Sequence, residues 1–179
     1  GFDVMVKLSD RAPFMVLEGD EYLSSVLDPR PKFHLYHPHI ALISGIAWDH
    51  MNVFPTFENY VSQFRQFIQL VEPGGKLAYC AEDDVLRPLA EEVRPDLEKL
   101  PYGTLPYEVR DGVTWLRWGE RPLPLKIFGR HNLQNLSGAW QLCRSMGVGE
   151  EAFLEAAASF QGASKRLQLL ASAPDRSIY

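Results

Sequence analysis

The sequence predicts an α/β domain: a mostly parallel sheet flanked by helices, with a small antiparallel sheet attached. Three observations predict it. Apolar runs without alternation, at 14–17, Ile40–Ile43 and Lys76–Cys80, read as strands covered on both faces. Between and after them the apolar spacing changes to three and four residues, the period of a helix. Residues 102–128 then carry short aromatic or β-branched runs broken by Asp111-Gly112 and Gly119, a hairpin signature.

Each element has a local reason. The run Phe14-Met15-Val16-Leu17 gives the first expected strand and Ile40-Ala41-Leu42-Ile43 the next. Phe57, Tyr60, Val61, Phe64, Phe67, Ile68 and Val71 share one helical face, with Thr56 as N-cap and Glu72-Pro73-Gly74-Gly75 as terminator. Residues 76–80 form the following strand and residues 85–92 a second helix. Strand, helix, strand, helix with short connections is the α/β order. In the antiparallel part, strands are expected at Val109, at 113–118 and at 125–128. Two helices follow, at 133–146 ending on Gly147 and at 150–160 ending before Gly162. The expected domain covers 1–170, and 171–179 reads as a linker.

Composition is that of a globular protein: 179 residues, 46% hydrophobic and 23% charged, enough for one good-sized core. A net charge of −5 argues against a nucleic-acid or anionic-membrane surface. The chain carries neither a membrane-length apolar run nor a signal segment, so a cytoplasmic location is expected. Cys80 and Cys143 lie in apolar stretches and read as reduced, buried thiols. The chain opens on Gly1-Phe2-Asp3 without an initiator Met, and a longer parent chain is expected.

Three clusters carry chemistry. Glu18, Asp20 and Glu21 follow the first expected strand; ligands bind at the carboxyl edge of open α/β sheets, and carboxylates there suit Mg²⁺. Asp49 and His50 follow the next strand, on the same expected edge. The third cluster, Gly129-Arg130-His131-Asn132-Leu133-Gln134-Asn135, opens a helix. Asn132 and Asn135, three residues apart, share a face and can offer donors and acceptors to a purine edge, although Asn132 can equally be an N-cap. Lys165 and Arg166 follow the last helix; a guanidinium there can pair with phosphate or simply complement the helix dipole. His34, His37 and His39 invite a zinc reading, but no cysteine lies near and Pro38 points to a surface connection. No G-x-x-G-K-[ST] phosphate loop occurs in the chain.

Together these clusters resemble the second half of the ATP-binding central domain of the Mur ligase family, bacterial enzymes that attach amino acids or peptides to UDP-N-acetylmuramic acid. The resemblance implies roles residue by residue. Glu18 matches an acid that ligates Mg²⁺ and His50 a histidine that holds a second Mg²⁺, with Asp20, Glu21 and Asp49 as secondary candidates. His131, Asn132 and Asn135 match the segment that contacts adenine, and Arg166 an arginine that approaches the nucleotide. It also implies ATP and Mg²⁺ as cofactors, and N- and C-terminal domains elsewhere in the same protein.

The run Glu18-x-Asp20-Glu21-Tyr22, Asp28-x-Arg30-x-Lys32-Phe33 and Tyr36-x-Pro38 looks like the cell-wall recycling branch of that family. That branch joins UDP-N-acetylmuramate to a recovered murein tripeptide, L-alanyl-γ-D-glutamyl-meso-diaminopimelate, through an acyl phosphate. The alternatives are the alanine-adding branch and a non-catalytic binding domain. Ser44-Gly45 stands where the family often has Thr-Asn, and no lysine lies between His50 and Lys76. The chain alone, lacking a phosphate loop, is expected to be inactive.

Overall fold

A computed structural model describes residues 6–162, 171–173 and 176–178. A three-stranded parallel sheet carries the larger core, in the order β1 (Ile40–Ile43), β2 (Lys76–Cys80), β3 (Glu98–Tyr102). β2 is central, and Leu77, Ala78, Tyr79 and Cys80 are all buried, as expected of a strand covered on both faces.

Helix α1 (Phe57–Gln69) connects β1 to β2. Thr56 accepts the Asn59 amide proton at 3.1 Å, and Tyr60, Phe64, Phe67 and Ile68 form the buried stripe. Phe33, on a single 3-10 turn at Lys32–Leu35, fills the space beside that stripe, its ring centroid 5.5 Å from Phe64 and 4.9 Å from Phe67. Helix α2 (Leu86–Glu92) links β2 to β3 and buries Leu86, Leu89 and Ala90. Lys99 on β3 reaches back to donate to the carbonyls of Ala90 and Val93, satisfying acceptors at the end of α2.

The antiparallel sheet consists of β4 (Tyr107–Arg110), β5 (Val113–Trp118) and β6 (Arg121–Leu125). Arg110 pairs with Val113 across Asp111-Gly112, whose φ values of 50° and 76° suit a two-residue turn with both central residues left-handed. Helix α3 (Arg130–Ser145) lies against all three parallel strands, and α4 (Glu150–Ser159) packs on α3 and β6. A second core of Leu116, Leu125, Ile127, Leu133, Phe153 and Leu154 joins the two helices to the antiparallel sheet.

Four expectations need correction or addition. The run at 14–17 forms no strand: its four side chains are 49–73% exposed, and β1 has no partner on its outer edge among the described residues. Apolar content marks a candidate strand, but a strand of four residues persists only when a neighbour takes its backbone hydrogen bonds. The sequence carries no signal for β3, because Glu98-Lys99-Leu100-Pro101-Tyr102 has no apolar run. As an edge strand it tolerates both the charges and Pro101. The last strand of the antiparallel sheet lies at Arg121–Leu125, not at 125–128; Pro122 and Pro124 obscure it in the sequence and are accommodated at its free edge. Residues 171–173 and 176–178, read as linker, pair as a short antiparallel ribbon.

Cys80 and Cys143 are free thiols; Cys80 is buried, whereas Cys143, expected to be buried, is only partly so. Among the described residues, no helix is long and apolar enough to cross a membrane.

Candidate nucleotide site at the carboxyl edge of the parallel sheet

The three parallel strands end on one edge, and the loops leaving them are tied together by two acids that follow β2. Asp83 accepts the Ile46 amide proton from the loop after β1 at 2.8 Å. Its other oxygen takes the amides of Val85 and Leu86 at 3.0 and 2.8 Å, which opens α2. Gly45 lies beside it; a Cβ there would sit 3.0 Å from the Asp83 carboxylate, so the glycine at this departure from the family pattern gives that carboxylate room.

Glu82 ties together the loop after β3 and the start of α3. Its Oε1 accepts the Thr104 amide proton at 2.6 Å. Its Oε2 accepts from Thr104 Oγ1 at 2.7 Å, Arg130 at 2.6 Å and Gln134 Nε2 at 2.8 Å. The Thr104 amide and hydroxyl, then Arg130 and Gln134, hold the carboxyl down at about 2. Sequence reading missed Glu82 as a site residue, although the signal was present. Glu82-Asp83-Asp84 follows an apolar strand just as Glu18-Gly19-Asp20-Glu21 follows an apolar run.

Gly129 precedes α3 at φ 85°, a conformation only glycine adopts freely, and the His131 ring folds back to within 3.0 Å of where its Cβ would stand. Asn132 is not the N-cap; it lies inside the first turn and donates to the Phe128 carbonyl at 2.7 Å. His131 and Asn135 are exposed.

Glu18, Asp20 and Glu21 lie on an extended segment rather than at the end of a buried strand, held in place by a local antiparallel pairing. The amides of Phe33, Lys32 and Ser24 donate to the carbonyls of Asp20, Tyr22 and Arg30. Asp20 pairs with Lys32 at 2.6 Å, a bond that lowers its pKa, and Asp28 binds Arg30. The charged residues of the run from Asp20 to Lys32 therefore brace this loop. Glu21 reaches His50, with Oε1 3.2 Å from Nε2, and the Tyr22 ring lies 4.2 Å from the imidazole between centroids. Tyr60 donates to the same Glu21 oxygen at 3.4 Å; burial first, and the Glu21 charge next, push its phenol up to about 12.

His50 is left-handed, with φ 54°. Its amide donates to Asp49 Oδ1 at 2.6 Å, and its carbonyl accepts the amides of Val53 and Phe54, so three hydrogen bonds hold the strained residue. Glu18 is exposed, three residues before Glu21 on the same extended segment. Among the described residues no cluster of three or more His, Cys, Asp or Glu side chains could hold a metal alone. One or two protein donors still suit Mg²⁺, which keeps several waters and takes its remaining oxygens from phosphates. His34 is buried with Nε2 2.8 Å from the Gln63 carbonyl, and His37 and His39 are exposed, so the three do not form a zinc site. Arg166 lies outside the described residues.

Comparison with known proteins accords with this architecture. The family model for the Mur ligase middle domain matches residues 5–143. The UDP-N-acetylmuramate–L-alanine ligases of Arthrobacter sp. (strain FB24) and Mycolicibacterium vanbaalenii are each 31% identical, over 89% and 88% of this chain. The chain spans 35% of the length of each. Among solved structures, the UDP-N-acetylmuramate:L-alanyl-γ-D-glutamyl-meso-diaminopimelate ligase from Neisseria meningitides superposes with a TM-score of 0.69 at 22% identity, over 86% of this chain and 50% of that one. The MurF ligase of Thermotoga maritima, solved in complex with ADP, gives a TM-score of 0.62 at 17% identity, over 74% and 33%. The parallel sheet, the attached antiparallel sheet and the helix order are a common fold, and the chain belongs to the Mur ligase family, whose middle domain it matches.

Proposed function

We propose that this chain is the nucleotide-binding part of an ATP-dependent ligase that forms an amide bond between UDP-N-acetylmuramate and a murein tripeptide, L-alanyl-γ-D-glutamyl-meso-diaminopimelate. The observation that carries it is the meeting of Glu21 and His50 at 3.2 Å, on segments that the family pattern assigns to metal. The matched start of α3, with glycine at φ 85° and two asparagines in its first turns, supports an adenine contact. Glu18 and His50 would hold Mg²⁺, which supplies charge neutralisation of the phosphates when bound. His131, Asn132 and Asn135 would orient the adenine, and Arg166 would approach the nucleotide. In such a ligase the muramate carboxylate is activated by phosphoryl transfer, and the amine then displaces phosphate.

The tripeptide reading rests on the run from Glu18 to Pro38, which the structure uses as a braced loop beside His50. A second reading, ligation of free L-alanine, is favoured by the 31% identical relatives that carry that name. The test uses the full-length protein with ATP, Mg²⁺ and UDP-N-acetylmuramate, offered either tripeptide or L-alanine, with product followed by mass. Tripeptide product at low micromolar to millimolar acceptor is expected. Product with alanine alone establishes the second reading, and no product with either amine removes both.

A further inference from the structure

We infer that Glu82 is a positioning residue for the base end of the nucleotide site, fixing the start of α3 against the sheet edge without touching the ligand. This deepens the nucleotide reading above and rests on it.

An ionised carboxylate offers about four acceptor sites. Glu82 uses four: the amide and hydroxyl of Thr104, Arg130 and Gln134. Oε2 takes three of these and is filled, and Oε1 is turned to the Thr104 amide at 2.6 Å, so the part Glu82 plays runs through the groups it holds. Those groups belong to two segments, the loop after β3 and the first two turns of α3. Arg130 also donates from Nε to Thr104 Oγ1 at 3.2 Å, so the three side chains close a ring of hydrogen bonds. The backbone leaves no slack beneath it: a Cβ at Gly103 would stand 2.6 Å from Glu82 Oε1.

The helix geometry then decides what the clamp does. At about 100° per residue, Arg130 and Gln134 project from one side of α3, and Asn132 and Asn135 from a direction roughly 150° away. Glu82 grips one side of the first turns, and the carboxamides project from the other. Gly129 enters α3 at φ 85° and has no side chain to cap the helix's first amides. Without the clamp, the first turn would keep the burial of Leu133 and the bond from Asn132 to the Phe128 carbonyl, and Asn132 is a side chain the nucleotide is proposed to use.

The test compares wild type with Glu82→Gln, which keeps shape and removes charge, in the full-length protein with Mg²⁺ at 25 °C. Calorimetry measures the Kd of ATP and of inorganic tripolyphosphate, and amide exchange is followed at 130–134 in the ligand-free protein. Expected results are an ATP Kd raised about 5- to 30-fold, a tripolyphosphate Kd changed less than about twofold, and faster exchange in the first turns of α3 with α1 unaffected. Gln134→Ala, which leaves the Arg130 pair intact, should move ATP in the same direction by a smaller factor, and it serves as the test should Glu82→Gln fail to fold. An unchanged ATP Kd, or equal weakening of ATP and tripolyphosphate, overturns the assignment. Wild type that binds tripolyphosphate but not ATP overturns the nucleotide reading itself, and this inference with it.

Discussion

Gly138 offers the sharpest test of how α3 is seated. A Cβ placed there would lie 2.8 Å from Tyr102 Cζ, 2.9 Å from its hydroxyl oxygen and 3.1 Å from Leu42 Cδ1. Tyr102 is 5% exposed and donates to the Ile43 carbonyl at 3.4 Å, so its ring is confined between helix and sheet. Two effects oppose each other in Gly138→Ala. Alanine in a helix interior gains about 0.5–1 kcal/mol over glycine. Overpacking a filled site costs about 1–3 kcal/mol, and shifting the ring also strains a hydrogen bond worth about 1 kcal/mol. Crowding wins, because the opposing atoms belong to a buried ring and not to a flexible tip.

The expected net loss is about 1–2 kcal/mol, or a Tm lowered by about 2–8 °C for a chain of this size. Urea and thermal denaturation by circular dichroism read it directly. Gly149→Ala is the control, since its Cβ would meet nothing within 4 Å and its φ of −69° is ordinary. It should shift Tm by no more than about 1–2 °C. Removing the hydroxyl in Tyr102→Phe should restore part of the loss in the double variant, giving a coupling of about 0.5–1 kcal/mol. A Gly138→Ala protein as stable as wild type, or more stable, would refute the close approach of α3 to β3.

Three further outcomes follow from the same structure. Glu82, held at about 2 against an ordinary value of 4.5, contributes stability that is present above pH 4.5 and lost as pH falls toward 2. Discounted for its partial exposure, the contribution is about 1–2 kcal/mol, so wild type and Glu82→Gln should differ in urea midpoint at pH 7 and converge near pH 2. Thr56→Ala removes the acceptor for the Asn59 amide at the start of α1 and should cost about 1 kcal/mol in urea denaturation, with Thr56→Ser near wild type. In the full-length protein, Glu18→Ala and His50→Ala should each lower ligation about 100-fold or more with unchanged circular dichroism; near-normal turnover by either removes that residue from the metal-binding proposal.

The α/β class and most of its elements were legible because their signals are local. The α1 stripe, the Thr56 cap, the Asp111-Gly112 turn and the stop at Gly147 each depend on residues within a few positions of one another. Glu98–Tyr102 and Arg121–Leu125 were hidden because they are edge strands, where charge and proline carry no penalty and no apolar run is needed. Residues 14–17 erred in the other direction, with a strand's composition and no neighbour to bond to.

The site divides along the same line. Residue types and their order marked the clusters holding Glu18, Glu21, His50, Asn132 and Asn135, and the resemblance to the Mur ligase family gave them their expected roles. That Glu21 rather than Glu18 meets His50, and that Asn132 bonds inside its own turn, came from tertiary geometry. Glu82 shows the difference most plainly. Its partners Thr104, Arg130 and Gln134 lie 22, 48 and 52 positions away, and no local pattern records such distances. Sequence determined which groups the chain has and which backbone shapes it favours, because those preferences act over a turn or two. Packing the helices on the sheet decided which of those groups share a carboxylate.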